Sequence, residues 1–249
     1  MKKGYWLPLF FIFPAAVAIV GKTSSKEPET GFAMIELFTS EGCSSCPAAD
    51  QLVEKIVEEN KGKRVYIASY HVDYWDRLGW KDQFSKPDYS SYQYAYAKQF
   101  KLRSVYTPQI VVNGQSEFVG SNSIALRTAI SNKLNSKETA RLQLEKLEAA
   151  AGRCGVHYSL EGAGAAAGLT FVLLQKKALV QIKAGENGGR NLSHINIVRD
   201  VKTLPPGKFS GDFFLPIPAG LGDDWELLCY ARDQVTGVVL TAQVVLNQD

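Results

Sequence analysis

Residues 36–47 read Glu36-Leu37-Phe38-Thr39-Ser40-Glu41-Gly42-Cys43-Ser44-Ser45-Cys46-Pro47. Two periodicities meet here around one pair of thiols. Upstream, Phe32 to Thr39 is a short apolar run suited to a buried strand. Downstream, Leu52, Val53, Ile56 and Val57 recur at helical spacing between Ala48 and Asn60, with Glu and Lys on the other face. Lys61-Gly62-Lys63 supplies a helix stop, with glycine near the cap and cations in the last turn. The C-x-x-C therefore lies between a strand end and a helix start. Free backbone N–H groups and a partial positive charge at that point favour a thiolate. Cysteines in such motifs fall from ~8.5 to ~3.5–7.5. The thiolate is the species that attacks a disulfide sulfur. Cys43 is expected to be the exposed nucleophile. Cys46, about one turn on, is expected to be the shielded, resolving thiol.

Outward from the motif, strand and helix alternate as far as Leu134. Val65 to His71 reads as a second strand, and Asp88 to Phe100 as an aromatic helix. Gln109 to Val112 is a third strand, which Asn113-Gly114 turns back into Ser116–Val119. Ser121 to Leu134 closes the block as a helix. Thr107-Pro108 stands directly before the third strand, where proline marks a first residue because it cannot donate to a ladder. From Arg141 the pattern becomes eight short strand-like runs separated by Gly, Pro, Asn and Asp, which suggests a β-sandwich. Asn135-Ser136-Lys137 is the expected linker, so the boundaries are 32–137 and 138–249.

Three readings compete with a redox pair. A zinc half-site lacks a second C-x-x-C or a spaced His pair. A purely structural disulfide is disfavoured by the adjacent serines and the strand–helix junction. A copper carrier would add His71 to Cys43 and Cys46. Redox chemistry is favoured over metal on context, with no resident metal or cofactor expected. A C-x-x-C after the first strand, followed by T-P before a strand–hairpin–helix ending, resembles the thioredoxin-like fold. E-L-F-T-S-E-G-C-S-S-C-P-A-A-D, H-V-D-Y-W-D-R-L-G-W-K-D and G-E-N-G-G-R resemble more closely a secreted thioredoxin-like family of unassigned function, domain of unknown function 1223. The resemblance covers about Phe32 to Leu134, with an insertion at about 71–100. The secreted family also carries a C-terminal β-domain. The resemblance implies a cis bond at Pro108, with Thr107 and Pro108 forming the substrate-side wall. It also implies a buried acid behind the thiols, for which Glu36 is the candidate proton relay. The alternative for Glu36 is a strand-end acid facing solvent. Departures from ordinary thioredoxin are the Gly42 before Cys43 and the two serines between the cysteines.

Other polar residues carry less. Glu41 would oppose thiolate formation by its charge. His71, Asp73, Tyr74 and Trp75 end the second strand and form either a pocket rim or, for His71, a satisfied polar group. Tyr89, Tyr92 and Tyr96 read as a packing stripe.

Composition sets the outer limits. The chain has 249 residues, 45% hydrophobic and 21% charged, which suits one large domain or two modest ones and excludes wholesale disorder. Net charge is +3 and no basic cluster is present, so nucleic acid is not expected as a partner. Lys2 and Lys3 precede the apolar run Leu7–Val20, and Ala16-Val17-Ala18 fits a cleavage site. Residues 1–18 therefore read as a signal peptide and 19–31 as a flexible leader, for a secreted or periplasmic protein. Membrane contact is expected only through the signal segment before cleavage. Cys154 and Cys229 are the remaining cysteines. After export they read as a structural disulfide, against the alternative of two buried thiols. The expected function is thiol–disulfide oxidoreductase acting on protein or small-molecule thiols and disulfides, with a redox partner to regenerate it. The alternatives are a metal carrier and a non-catalytic binding module on a thioredoxin scaffold.

Overall fold

The computed structural model describes residues 1, 3, 31–148 and 152–247. Nearly all of the expected signal segment and leader lies outside the described residues. No helix among the described residues is long and apolar enough to cross a membrane.

The first half follows the order expected from its periodicities: β1 (Ala33–Thr39), α1 (Cys46–Glu59), β2 (Val65–His71), α2 (Pro87–Gln99), β3 (Gln109–Val112), β4 (Ser116–Val119) and α3 (Ser123–Leu134). The Asn113-Gly114 turn has both residues at positive φ, 51° and 66°, as a two-residue hairpin requires. The Asn113 side chain also accepts from the Met34 N–H and donates to the Phe32 carbonyl, tying the hairpin to β1.

The second half contains β5 (Arg141–Leu147), β6 (Arg153–Glu161), β7 (Ala167–Gln181), β8 (Asn191–Leu204), β9 (Ser210–Pro216), β10 (Trp225–Asp233) and β11 (Val239–Leu246). Two of the expected runs, Leu169–Leu174 and Ala178–Ile182, merge in the long strand β7. Lys176-Lys177 between them continues the strand. The fold is a strand-rich mixed sheet with flanking helices. Its larger sheet has the order β11-β10-β7-β8-β2-β1-β3-β4, and β5-β6-β9 form a smaller one.

This sheet corrects the expectation of a separate all-β unit after residue 137. β8 pairs parallel with β2 at Ser69 and Ile197, so the ladder crosses the expected boundary. The physical reason is the edge of β2. Its last five residues are buried, and an unpaired buried edge would leave backbone groups without partners.

Three of the four apolar clusters among the described residues hold these layers. Ile35 and Leu37 of β1 pack with Val53 and Ile56 of α1 and Leu126 of α3. Met34 and Phe38 point to the other face, with Tyr70, Tyr89 and Tyr96 and with Leu228 and Tyr230 of β10. The opposite face of β10, through Leu227 and Cys229, meets Leu142, Val156 and Leu215 of the smaller sheet. Strand alternation thus sends one half of the chain into the cores of the other. Truncating Phe38, which is fully buried, to alanine would cost about 3–5 kcal/mol.

Beyond Gln175 the β7–β8 hairpin outruns β10, whose ladder to β7 ends at Trp225. Its tip, residues 183–190, reaches the start of α1, where the Ser44 N–H donates to Glu186 at 3.1 Å.

Candidate functional site

Cys46 is the first residue of α1 and Pro47 follows it, a position where a missing N–H costs nothing. Cys43 lies in the turn just before, closed by the Cys46 N–H donating to the Cys43 carbonyl at 3.2 Å. The Cys43 Sγ sits 3.3 Å from Ser45 Oγ and 3.8 Å from the Thr107 carbonyl oxygen. Thr107-Pro108 is a cis peptide bond, and the Trp75 indole N–H donates to Thr107 Oγ1 at 2.8 Å. Thr107 and the cysteine pair therefore face each other across the strand ends.

The two thiols are electrostatically unlike. The hydrogen bond from Cys46 is the largest influence on Cys43. With further help from Ser45 and Thr107, it lowers Cys43 to about 6 despite burial. Cys46 is pushed well above the ordinary thiol value, first by burial, then by its bond to Cys43 and the charges of Cys43 and Asp50. One thiol is thus set up as a thiolate and the other as its proton-bearing partner.

Cys43 was expected to be exposed, and the structure corrects this: its relative exposure is 0%. The β7–β8 tip is bonded to the backbone of the motif. Asn187, also 0% exposed, donates from Nδ2 to the carbonyls of Glu41 at 2.8 Å and Cys43 at 2.9 Å. Arg190 donates to Asn187 Oδ1 at 2.7 Å and fixes its orientation. Gly185 and Gly189 adopt φ of 71° and 83° in this tip, a conformation that favours glycine. The G-E-N-G-G-R string is therefore a structural cap on the motif. Its spacing gave no sign of this, because 142 positions separate Ser44 from Glu186.

Glu41 and His71, noted from the sequence, are joined by three residues that it did not mark, Asp50, Asp82 and His194. Glu41, Asp50, His71, Asp82 and His194 are all buried around the start of α1. His71 Nδ1 and Asp82 Oδ2 are 2.7 Å apart, and Asp82 also accepts from the Glu41 N–H at 2.8 Å. Burial, then the Asp82 charge, raises Glu41. Asp82 is held below its ordinary value, its burial outweighed by the charge and hydrogen bond of His71. His71 is raised because the charge and bond of Asp82, with the charges of Asp50 and Glu41, outweigh its burial. The Trp80 N–H donates to Glu41 Oε2 at 2.6 Å. Glu41 is thus drawn away from the thiols into this cluster. His71 faces Asp82, and among the described residues no three His, Cys, Asp or Glu side chains are arranged to hold a metal ion.

Glu36 does not face solvent. It is fully buried and lies on the Met34–Phe38 face of β1, opposite the face that packs on α1. Its carboxylate accepts from Tyr92 at 2.6 Å and Arg232 at 2.9 Å, and also from Tyr96. The tyrosine stripe thus packs with a polar purpose as well, since the Tyr92 and Tyr96 hydroxyls satisfy a buried ion pair while that of Tyr89 donates to the Val198 carbonyl. Cys154 and Cys229 are free thiols here, both buried in the cluster between the two sheets.

Similarity to known proteins follows the same outline. The structure resembles protein AGR_C_4864 from Agrobacterium tumefaciens, with TM-score 0.65 and 23% identity over 88% of this chain and 96% of that one. It also resembles HBP35 of Porphyromonas gingivalis, with TM-score 0.60 and 17% identity over 88% of this chain and 76% of that one. These likenesses concern the fold alone. No curated protein matches. The model of a family of unknown function, DUF1223, matches residues 34–225, which span the cysteine pair, the buried cluster and the hairpin that caps them. The chain belongs to the DUF1223 family.

Proposed function

We propose that this protein is an exported thiol–disulfide oxidoreductase whose redox centre is Cys43 and Cys46. In this reading residues 32–137 form a thioredoxin-like unit, β-α-β-α-β-β-α, and the strand-rich remainder extends its sheet. The observation that carries the reading is the placement of two neighbouring thiols at a helix start, with Cys43 Sγ 3.8 Å from the Thr107 carbonyl beside a cis-proline. The lowered Cys43 and raised Cys46 agree with it. A thiolate beside a protonated thiol is what the two steps of exchange need. The Cys43 thiolate attacks one sulfur of a client disulfide, and the other client sulfur leaves as a thiolate. Cys46 then gives up its proton and attacks Cys43. The Cys43–Cys46 bond forms, the mixed disulfide breaks, and the client is reduced by two electrons. Thr107 and Pro108 are the wall against which the client sulfur would lie. Clients are protein or small-molecule disulfides, and an external dithiol regenerates the pair.

A non-catalytic binding module is the second reading, favoured by the full burial of Cys43. Mixed-disulfide trapping separates the two. Cys46→Ala should accumulate adducts through Cys43 on a non-reducing gel, because the resolving thiol is gone. Cys43→Ala should accumulate far fewer. Equal trapping by both variants would refute the assigned roles. No exchange with any disulfide would leave the binding module.

A further inference from the structure

His194 stands between two carboxylates that arrive from different elements. Its Nδ1 is 3.6 Å from Asp50 Oδ2 and its Nε2 is 3.8 Å from Glu41 Oε1. Its ring also lies edge-on to His71 at 4.8 Å and to the apolar Phe84 at 6.1 Å. Asp82 is turned to the far side of His71. All four facing atoms, Asp50 Oδ2, His194 Nδ1, His194 Nε2 and Glu41 Oε1, are buried without a hydrogen-bond partner among the described residues. Each such atom costs about 1–3 kcal/mol if left unpaired, so stability does not explain the arrangement. The spacings are a few tenths of an ångström beyond hydrogen-bond length. A small shift, or one added proton, closes either gap.

Asp50 connects this trio to the thiols. It lies four residues after Cys46 on α1, so the two side chains are neighbours on one helical face. Its Oδ1 is occupied by the Thr39 hydroxyl at 3.0 Å, leaving Oδ2 to face His194. At the other end, Glu41 receives the N–H of Trp80, which is partly exposed at the surface.

We infer that His194, supplied by β8 in the second half of the chain, is a positioning residue that relays the Cys46 proton from Asp50 to Glu41. The inference rests on the redox reading above. When Cys46 attacks the mixed disulfide between Cys43 and a client, its thiol proton goes to Asp50 Oδ2. The newly protonated acid donates to His194 Nδ1. The ring takes that proton and releases another from Nε2 to Glu41 Oε1. No electrons move in the relay. The S–S bond formed is Cys43–Cys46, the one broken joins Cys43 to the client, and the client leaves as a thiolate. The raised affinity of buried Glu41 for a proton suits it to the receiving end. Without the ring, Asp50 would hold the proton in a dry site with no onward path.

Ellman's reagent, an aromatic disulfide, separates the two steps. Reduced protein should release chromophore in two phases, first by attack of Cys43 and then by Cys46 resolving the mixed disulfide. General acid–base groups contribute about 10²–10⁴-fold to such steps. His194→Asn keeps an amide near Nδ1 but cannot pass a proton through. It should slow the second phase at neutral pH by at least about 10-fold, and the deficit should shrink about 10-fold per pH unit as hydroxide replaces the relay. Asp50→Asn should produce the same profile and serves if the first variant folds poorly. A wild type with no first phase would sink the redox reading itself. A normal two-phase wild type, with both variants keeping its second-phase pH profile, would overturn the relay while leaving that reading intact.

Discussion

Asn187→Ala should make Cys43 reactive. In the closed structure Cys43 has no exposure, and the β7–β8 tip is bonded to its backbone, so loosening the tip is expected to open a path to the thiol. Asn187 holds the tip down with hydrogen bonds of 2.8 and 2.9 Å to the carbonyls of Glu41 and Cys43. Each bond contributes about 1 kcal/mol net, so losing both favours the lifted state by about 2 kcal/mol. At about 1.36 kcal/mol per decade, the open population rises about 30-fold. Alkylation from a rare open state should rise by the same factor. The measurement is the pseudo-first-order rate of iodoacetamide labelling, followed by mass spectrometry of the Cys43 peptide. Cys154 and Cys229 are internal controls, because both are buried far from the tip in the cluster between the sheets. Their labelling must not accelerate, or the variant is unfolding rather than opening. Glu186→Gln should produce a smaller rise, since the Ser44 contact is exposed. An unchanged Cys43 rate in a folded Asn187→Ala protein would refute the cap.

The thiol energetics lead to a pH effect of definite sign. Cys43 lies below its unfolded value of ~8.5, at about 6. Its contribution to stability is therefore full above the unfolded value and is lost as pH falls through the folded one. Denaturation of reduced protein should show stability falling between pH 8.5 and 5.5 more steeply in wild type than in Cys43→Ser. Parallel curves would contradict the lowered thiol. Cys46→Ala should move the midpoint of the Cys43 alkylation profile upward, because it removes the bond that lowers Cys43 most. Glu36→Gln should destabilise by about 3–5 kcal/mol in urea unfolding, since it leaves the Arg232 cation buried without its charge partner. The same variant should leave the Cys43 alkylation profile unmoved, and a shifted profile would return Glu36 to the proton chemistry. Thiol counting on denatured, unreduced Cys43→Ser/Cys46→Ser protein should find two free thiols, because Cys154 and Cys229 are unbridged in the structure, which corrects the expected disulfide. A count of zero in protein from an oxidising compartment would restore the bridge.

Local signals in the sequence reached the first half of the fold. The β1–α1 junction was legible because a period of two gives way to a period near 3.6 across Cys43 and Cys46. Asn113-Gly114 was legible because few residue pairs accept positive φ at both positions. The continuation into β8 was not, because Ser69 and Ile197 meet across more than a hundred residues with no local mark on either. The β-sandwich expectation failed for the same reason: turn-rich short runs look alike whether they pair among themselves or add to another sheet. The buried cluster was hidden by its composition. Glu41, Asp82 and His194 are ordinary surface residue types, and only the fold shows that each has lost its water. The burial of Cys43 was not legible either, because Asn187, which bonds its carbonyl, lies in a distant stretch that reads as a turn.

The β7–β8 hairpin explains why the two halves share one sheet. One excursion beyond β10 delivers Asn187 to the Cys43 carbonyl and Arg190 to steady it. A few residues on, the returning strand places His194 between Asp50 and Glu41. On the proposed redox reading, access to Cys43 and the route of the Cys46 proton would both be set by one element. Pairing with β2 is what fixes that element's height over α1. On that reading, lifting the tip would release the Cys43 and Glu41 carbonyls that Asn187 holds, loosening the backbone at both the thiol and the far end of the relay. A client that opens the cap would thus reach the thiolate and free the proton's exit in the same motion. A separately folded β-domain on a flexible linker could not couple the two.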